Sequence, residues 1–193
     1  IASLTLFLPG SALAQLSGTY TIDPNGSGTT NYASYSAALT ALSTSGVSGP
    51  VVFNVSSGTY TEQVTFESYT GVGHVNTITF QSDPSNSTSP VLTFAPTSSS
   101  VSSNFTARFN GAKYIILGGL PFETSGTSYG RIFNIAGTTN QSLPIQNCTL
   151  NGYSGSTSSS FAIFYMSSAR FDTLTINNNT INNGSYMGYF YGS

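Results

Sequence analysis

The chain carries very little charge. Four of its 193 residues are Lys or Arg and six are Asp or Glu, together 5% of the sequence, whereas soluble domains carry about 25%. Binding to a nucleic-acid backbone needs clustered cations, but Arg108, Lys113, Arg131 and Arg170 are scattered along the chain. The sequence therefore excludes nucleic acid as a partner.

Cysteine and long apolar runs are scarce as well. Cys148 is the only cysteine, so no internal disulfide can form, and its position in the repeat described below predicts a small buried side chain. No apolar run approaches the roughly 18 residues of a membrane span. We therefore expect no transmembrane helix. The 13 Phe and 12 Tyr residues favour a core built from strands.

Residues 1–14 allow two interpretations. They contain an apolar stretch, a Pro9-Gly10 break and a small-x-small Ala12-Leu13-Ala14 segment before Gln15, as in the remnant of a secretory signal peptide. That interpretation predicts a secreted, extracellular or cell-surface protein. The other interpretation is an apolar N-terminal strand of the mature protein. Its candidate assembly residues are Ala2, Leu4, Leu6 and Leu8.

Three segments repeat one pattern along the chain. They are Leu117-Gly-Gly-Leu-Pro-Phe-Glu, Ile145-Gln-Asn-Cys-Thr-Leu-Asn and Ile176-Asn-Asn-Asn-Thr-Ile-Asn. The first precedes the second by 28 residues, and the second precedes the third by 31. The pair Ile132-Phe133 recurs as Ile163-Phe164, again 31 residues later. Self-similarity at a period of roughly 20–50 residues predicts a solenoid.

The repeat also decides between two all-β architectures. Short, evenly spaced strand segments after residue 46 are typical of either a sandwich or a solenoid. Consecutive strands of a sandwich pair antiparallel, without such a register. In a parallel β-helix each coil stacks on the previous one at about 4.8 Å, so that like residues stack on like. We therefore predict an all-β fold, a parallel β-helix.

Alignment of the segments predicts which side chains share a column. The inward columns are Leu117, Ile145 and Ile176, then Phe122, Leu150 and Ile181. The polar columns pair Asn147 with Asn178 and Asn151 with Asn182. Stacked Asn side chains can bond to one another, and Asn tolerates the left-handed backbone that tight turns use. We expect these Asn residues to have a structural role at the turns.

One helix is expected before the coils. Tyr32, Tyr35, Leu39 and Leu42 recur at helical spacing, and the pattern ends near Gly46. Three regions follow from these observations. Residues 1–14 are a signal-peptide remnant or an apolar strand, residues 15–50 form an N-terminal strand and a capping helix, and residues 51–193 form the coils with an uncapped C-terminal end.

A family resemblance accompanies this pattern. Ile176-Asn-Asn-Asn-Thr-Ile-Asn-Asn-Gly184 resembles the coil repeat of right-handed parallel β-helices of the pectin-lyase-like superfamily. Residues 35–64, with Gly58-Thr-Tyr-Thr-Glu62, resemble the start of those proteins, where a helix caps the first coil. The low charge is similar to that of secreted β-helix proteins of Bacteroidetes-type bacteria. The resemblance implies a right-handed β-helix with one capping helix. Such folds host lyases, hydrolases, esterases, adhesins and phage spikes.

Catalysis in that superfamily uses clustered carboxylates. The acidic residues here are Asp23, Glu62, Glu67, Asp83, Glu123 and Asp172. No two lie within four residues of one another, and none recurs at the coil period. Glu62 has the best family match, and we expect it to bind backbone or turn groups of the first coil. We predict no catalytic, metal-binding or cofactor-binding residue.

The C-terminal segment points to assembly. We expect Tyr186–Tyr191 to open a further coil, and an open solenoid edge is prone to association. Tyr189 and Tyr191 are candidate assembly residues. The expected function is that of a non-catalytic extracellular β-helix, either a surface adhesin or a subunit of a head-to-tail fibre. Its partners would be further copies or other surface proteins at that edge, and glycans. The alternative is the N-terminal part of a polysaccharide lyase, hydrolase or esterase with catalytic coils beyond residue 193.

Overall fold

The computed structural model describes residues 14–192 and contains one α-helix, one 3-10 helix (Ser159–Phe161) and seventeen strands in that range. In chain order they are β1 (Leu16–Ile22), β2 (Asn31–Tyr32), α1 (Tyr35–Ser45), β3 (Val47–Val55), β4 (Thr59–Thr61), β5 (Val64–Phe66), β6 (Ile78–Ser82), β7 (Val91–Phe94), β8 (Ala107–Asn110), β9 (Ile115–Gly118), β10 (Pro121–Thr124), β11 (Phe133–Ala136), β12 (Leu143–Gln146), β13 (Thr149–Asn151), β14 (Phe164–Ser167), β15 (Leu174–Asn177), β16 (Thr180–Asn182) and β17 (Gly188–Tyr191).

The strands form three sheets in which every pairing is parallel. Sheet A has the order β2-β1-β3-β6-β9-β12-β15, sheet B the order β4-β7-β10-β13-β16 and sheet C the order β5-β8-β11-β14-β17. From β3 onward, three consecutive strands, one in each sheet, make one coil. The described chain has five such coils, and the fifth is β15, β16 and β17. The fold is a right-handed parallel β-helix with one capping helix, as predicted.

The predicted register is confirmed at all three repeated segments. Leu117 pairs with Ile145 and Ile145 with Ile176, Phe122 pairs with Leu150 and Leu150 with Ile181, and Phe133 pairs with Phe164. Each pairing puts an apolar side chain over its equivalent one coil away. A slip of one residue would turn every inward side chain to the outside, so the alternation itself holds the register.

The interior is a continuous apolar column. Phe66, Phe109, Phe133 and Phe164 stack along the inside of sheet C, with successive ring centroids 5.5, 5.7 and 5.3 Å apart. All four rings are buried. Burial of each such side chain stabilises the fold by about 1.5–3 kcal/mol relative to leaving it exposed. Cys148 is also buried, as predicted.

Helix α1 starts later than its sequence pattern indicates. Ser34 has an extended backbone, and its hydroxyl accepts a hydrogen bond from the Ala37 amide at 3.1 Å. This cap sets the first helical residue at Tyr35, and Tyr32 belongs to β2 instead. The helix ends before Gly46, whose φ of 67° is in the left-handed region. Its buried face packs Tyr35, Ala38 and Leu42 onto the first coils.

Glu62 joins the first coil to the start of α1. Its Oε1 accepts from the Tyr35 amide at 3.0 Å, and its Oε2 accepts from the Ser36 amide at 2.9 Å and the Ser36 hydroxyl at 2.6 Å. The first amides of a helix lack intrahelical partners, and the helix N-terminus favours negative charge. Glu62 binds backbone groups, as expected, but these groups belong to the start of α1 and not to the first coil.

The structure corrects one prediction about the C-terminal segment. Gly188–Tyr191 does not open a further coil, because β17 pairs with β14 and is the third strand of the fifth coil. The aromatic composition of this segment predicts a strand but does not tell which of the three sheets the strand joins. Within residues 14–192, no helix has the length and apolar character needed to cross a membrane.

The Glu62 contact predicts a local effect on stability. Glu62→Ala removes three hydrogen bonds to the start of α1, and we expect the free energy of unfolding in urea to fall by about 1–3 kcal/mol. Glu67→Ala is the matched control, because Glu67 is exposed and its carboxylate meets only Asn110, at 3.4 Å. Equal effects of the two substitutions would contradict this role for Glu62.

Candidate functional site

The fifth coil exposes residues of the kind that the other coils bury. Ile145 is fully buried in the fourth coil, whereas its equivalent Ile176 is 41% exposed. Phe190, which pairs with the half-buried Met166, is 54% exposed. Met187, just before β17, is 67% exposed. These side chains are exposed because no described residue stacks on the far side of this coil. The result is an apolar surface across the end of the β-helix.

The backbone at this surface is also without partners among residues 14–192. β15, β16 and β17 each lie at the end of their sheet. In the fourth coil the Leu143 amide donates to Thr173 O and the Asn147 amide donates to Asn177 O. Alternate residues of a parallel strand bond to opposite neighbours, so the amides of Ile176 and Asn178 face the uncovered side. They form a template for one more parallel strand.

Charged residues do not protect this edge. Residues 173–192 contain no Asp, Glu, Lys or Arg. Natural sheets usually block an exposed edge strand with Lys, Pro or a bulge, because such a strand can pair with another chain. The fifth coil therefore combines an apolar surface, unpaired backbone groups and an uncharged border, which is the chemistry of strand addition.

The Asn columns reach this edge from the fourth coil. Asn178 Nδ2 donates to Asn147 Oδ1 at 2.6 Å, and Asn182 Nδ2 donates to Asn151 Oδ1 at 2.9 Å. Both bonds run from the fifth coil to the fourth, so the Oδ1 atoms of Asn178 and Asn182 remain as acceptors for a further layer. Asn147 and Asn178 have φ of 55° and 52°. Gly119 has φ of 64° at the same turn of the third coil.

Asn179, in the same turn, has a structural role that the sequence pattern did not reveal. Asn179 Oδ1 accepts from the Cys148 amide, and its Nδ2 donates to Ile145 O, both at 2.8 Å. The side chain thereby closes the turn of the neighbouring coil. The sequence could not reveal this role. Asn177, Asn178 and Asn179 are identical, and only the folded backbone shows which of the three side chains points toward the turn of the neighbouring coil.

A stack of side chains on the outer face of sheet C was also missed. The guanidinium carbon of Arg131 lies 3.3 Å from the centre of the Tyr165 ring, and the Tyr165 and Tyr189 rings stack at 5.6 Å and 7°. Arg131 is only 4% exposed, and its Nε donates to Ser159 O at 3.1 Å. Burial lowers the pKa of the Arg131 guanidinium, and Tyr165 opposes that shift. The stack fastens the fifth coil to the fourth.

The candidate assembly residues lie in two places. Tyr189 and Tyr191 are on β17, where they pair with Tyr165 and Ser167 and face outward. Ala2, Leu4, Leu6 and Leu8 lie outside the described residues.

Two of the described acidic side chains hold turns. Asp23 Oδ1 accepts from the Asn25 amide at 2.9 Å, and Asp83 Oδ1 accepts from the Ser85 amide at 2.8 Å. The hydrogen bonds from Ser85 hold the pKa of Asp83 below its usual value. Asp172 lies with Lys113 and Arg170 around an open cleft of about 360 Å³. Between residues 14 and 192, no three His, Cys, Asp or Glu side chains form a group that could hold a metal ion.

The left-handed turn predicts a contrast between two Asn residues. Asn147→Val puts a β-branched side chain at φ of 55°, and we expect it to lower the free energy of unfolding by about 1–2 kcal/mol or more. Asn151→Val loses a similar Asn–Asn bond but lies in β13, where Val is favoured. We expect urea unfolding to show a much smaller loss for Asn151→Val. An equal loss at Asn151 would show that the Asn–Asn bond, which both variants lose, matters and the backbone conformation does not.

Comparisons of the chain with protein-family models, with curated proteins and with solved structures found no match in any of the three.

Proposed function

We propose that this chain is a non-catalytic extracellular β-helix that acts by contact, as a surface adhesin or as a subunit of a head-to-tail fibre. The observation that carries the proposal is the fifth coil. Its inward positions have the same apolar chemistry as the core of the preceding coils, and they are open. The proposed contact surface therefore consists of the positions that each earlier coil uses to stack on the next one.

The free energy available at this surface is considerable. Burial of an apolar side chain such as Ile176 or Phe190 contributes up to about 1.5–3 kcal/mol. A strand added to an open edge gains main-chain hydrogen bonds as well, while side-chain positions supply specificity. Part of this gain is offset by the cost of association. A surface with several such side chains is still sufficient for specific binding.

The acidic residues support a structural rather than a catalytic role. Glu62 holds the start of α1, while Asp23 and Asp83 hold turns through backbone amides. A carboxylate that accepts such bonds is engaged in the fold and is poorly placed to transfer a proton to a substrate.

The extracellular setting belongs to the same proposal. It is supported by the low charge of the chain, which is similar to that of secreted β-helix proteins. We also propose kinship with the pectin-lyase-like superfamily and an origin among secreted Bacteroidetes-type proteins. Support comes from the capped helix α1 and from Tyr60 and Glu62, which the resemblance places at the first coil. Glycans are a second class of partner, and the outward Tyr189 and Tyr191 are the side chains that would contact them.

The proposal predicts concentration-dependent self-association of the purified full-length chain. Ile176→Lys places a charge on the exposed apolar surface, and we expect it to weaken association by about tenfold or more in sedimentation velocity, since Lys at an edge opposes strand addition. Ser87→Lys adds the same charge on an exposed loop between β6 and β7 and should associate like the wild type. A wild-type chain that stays monomeric at high concentration would rule out the fibre.

A further inference from the structure

Residues 6–13 carry the coil signature of sheets A and B. In the fifth coil, Leu174 and Ile176 are followed by the left-handed Asn178 and then by Ile181. The fourth coil has Leu143, Ile145, Asn147 and Leu150, and the third has Ile115, Leu117, Gly119 and Phe122, all with steps of two, two and three residues. The same steps join Leu6, Leu8, Gly10 and Leu13.

We infer that residues 6–13 of one copy add to the fifth coil of a second copy, as the first two strands of a sixth coil. The inference rests on the self-association proposed above and names the occupant of the open surface. Leu6 and Leu8 stack on Leu174 and Ile176, and Leu13 stacks on Ile181. The contact continues the three columns that each coil has already begun.

Gly10 is the most specific element of this match. It falls in the column where Gly119, Asn147 and Asn178 all have positive φ. Gly and Asn are the residues that enter this conformation most readily. Pro9 falls at an outward position and lacks an amide hydrogen, so it forgoes one ladder bond. β12 carries Pro144 at an outward position as well, paired with Thr175.

The occupant must come from a second copy. Leu13 is three residues from Leu16 in β1, so it lies within about 11 Å of that strand. The open side of β15 is six strand spacings from β1 in sheet A, which is about 29 Å. Residues 6–13 therefore cannot reach the fifth coil of their own chain. Each copy offers one such segment and one fifth coil, and this head-to-tail contact gives an open filament.

Two complementary variants test the inference in the full chain. Leu6→Asn with Leu8→Asn disables the N-terminal segment and leaves the fifth coil intact, while Ile176→Lys disables the fifth coil and leaves the segment intact. We expect each variant to be monomeric in sedimentation velocity at concentrations where the wild type forms filaments. An equimolar mixture should form a 1:1 dimer and nothing longer, because only one functional contact remains.

The controls separate this inference from the proposed function. Thr5→Asn with Phe7→Asn changes the outward positions of the same segment and should assemble like the wild type. If the Leu6→Asn, Leu8→Asn chain still assembles, the segment is not the occupant, although the fifth coil remains a contact surface. A wild type that never associates overturns the inference and the fibre, and leaves the adhesin as the proposed function. Circular dichroism of each variant should retain the β-helix spectrum, which excludes misfolding as the cause.

Gly10 supplies an independent test. Gly10→Asn keeps a residue type that this column already uses, and we expect wild-type assembly. Gly10→Val puts a β-branched residue in a left-handed position, and we expect assembly to weaken by about tenfold or more. Equal assembly of the two variants overturns the register. Intact mass of the assembled chains must include residues 6–13, and assemblies whose chains begin at Gln15 overturn the inference.

Discussion

Every coil of this molecule depends on the coils beside it. A strand in a parallel β-helix bonds through alternate residues to the coil on either side, and a single coil encloses too little volume to bury its own apolar residues. The stack of Phe66, Phe109, Phe133 and Phe164 shows the consequence, since Phe109 and Phe133 each lie between the rings of two neighbouring coils. Stability is therefore a property of the contact between coils.

The first and the fifth coil each have a neighbouring coil on one side only, and the two differ in what covers the other side. At the first coil, β1 and β2 extend sheet A and α1 packs over the interior, while Glu62 and Ser34 bind the amides at the start of the helix. At the fifth coil, Ile176 and Phe190 remain exposed. In the first arrangement the helix covers the apolar interior. In the second, no residue between 14 and 192 covers the inward side chains.

Sequence reasoning found the later coils and much less of the earlier ones. The third, fourth and fifth coils are nearly equal in length, so Ile145 and Ile176 align by inspection. In sheet A, Val51 pairs with Ile78 and Ile78 with Ile115, spacings of 27 and 37 residues that leave no constant period to detect. The stack of Arg131 on Tyr165 was missed because the two residues occupy different columns, and only the folded sheet brings them together. The sequence pattern also could not tell which sheet β17 joins, because that depends on its pairing with β14 in the folded chain.

The same rule that makes the fold also makes the site. A pattern of two inward residues, a left-handed turn and a third inward residue specifies a coil wherever it meets a matching edge, and it does not distinguish a neighbour in the same chain from one in another. Ile176 is thus a core residue by pattern and a surface residue by exposure, and Leu174 and Ile181 beside it are only half-buried. In the assembly that we propose, a strand of the partner copy therefore stacks on the same columns, and the proposed contact needs no binding site apart from the fifth coil.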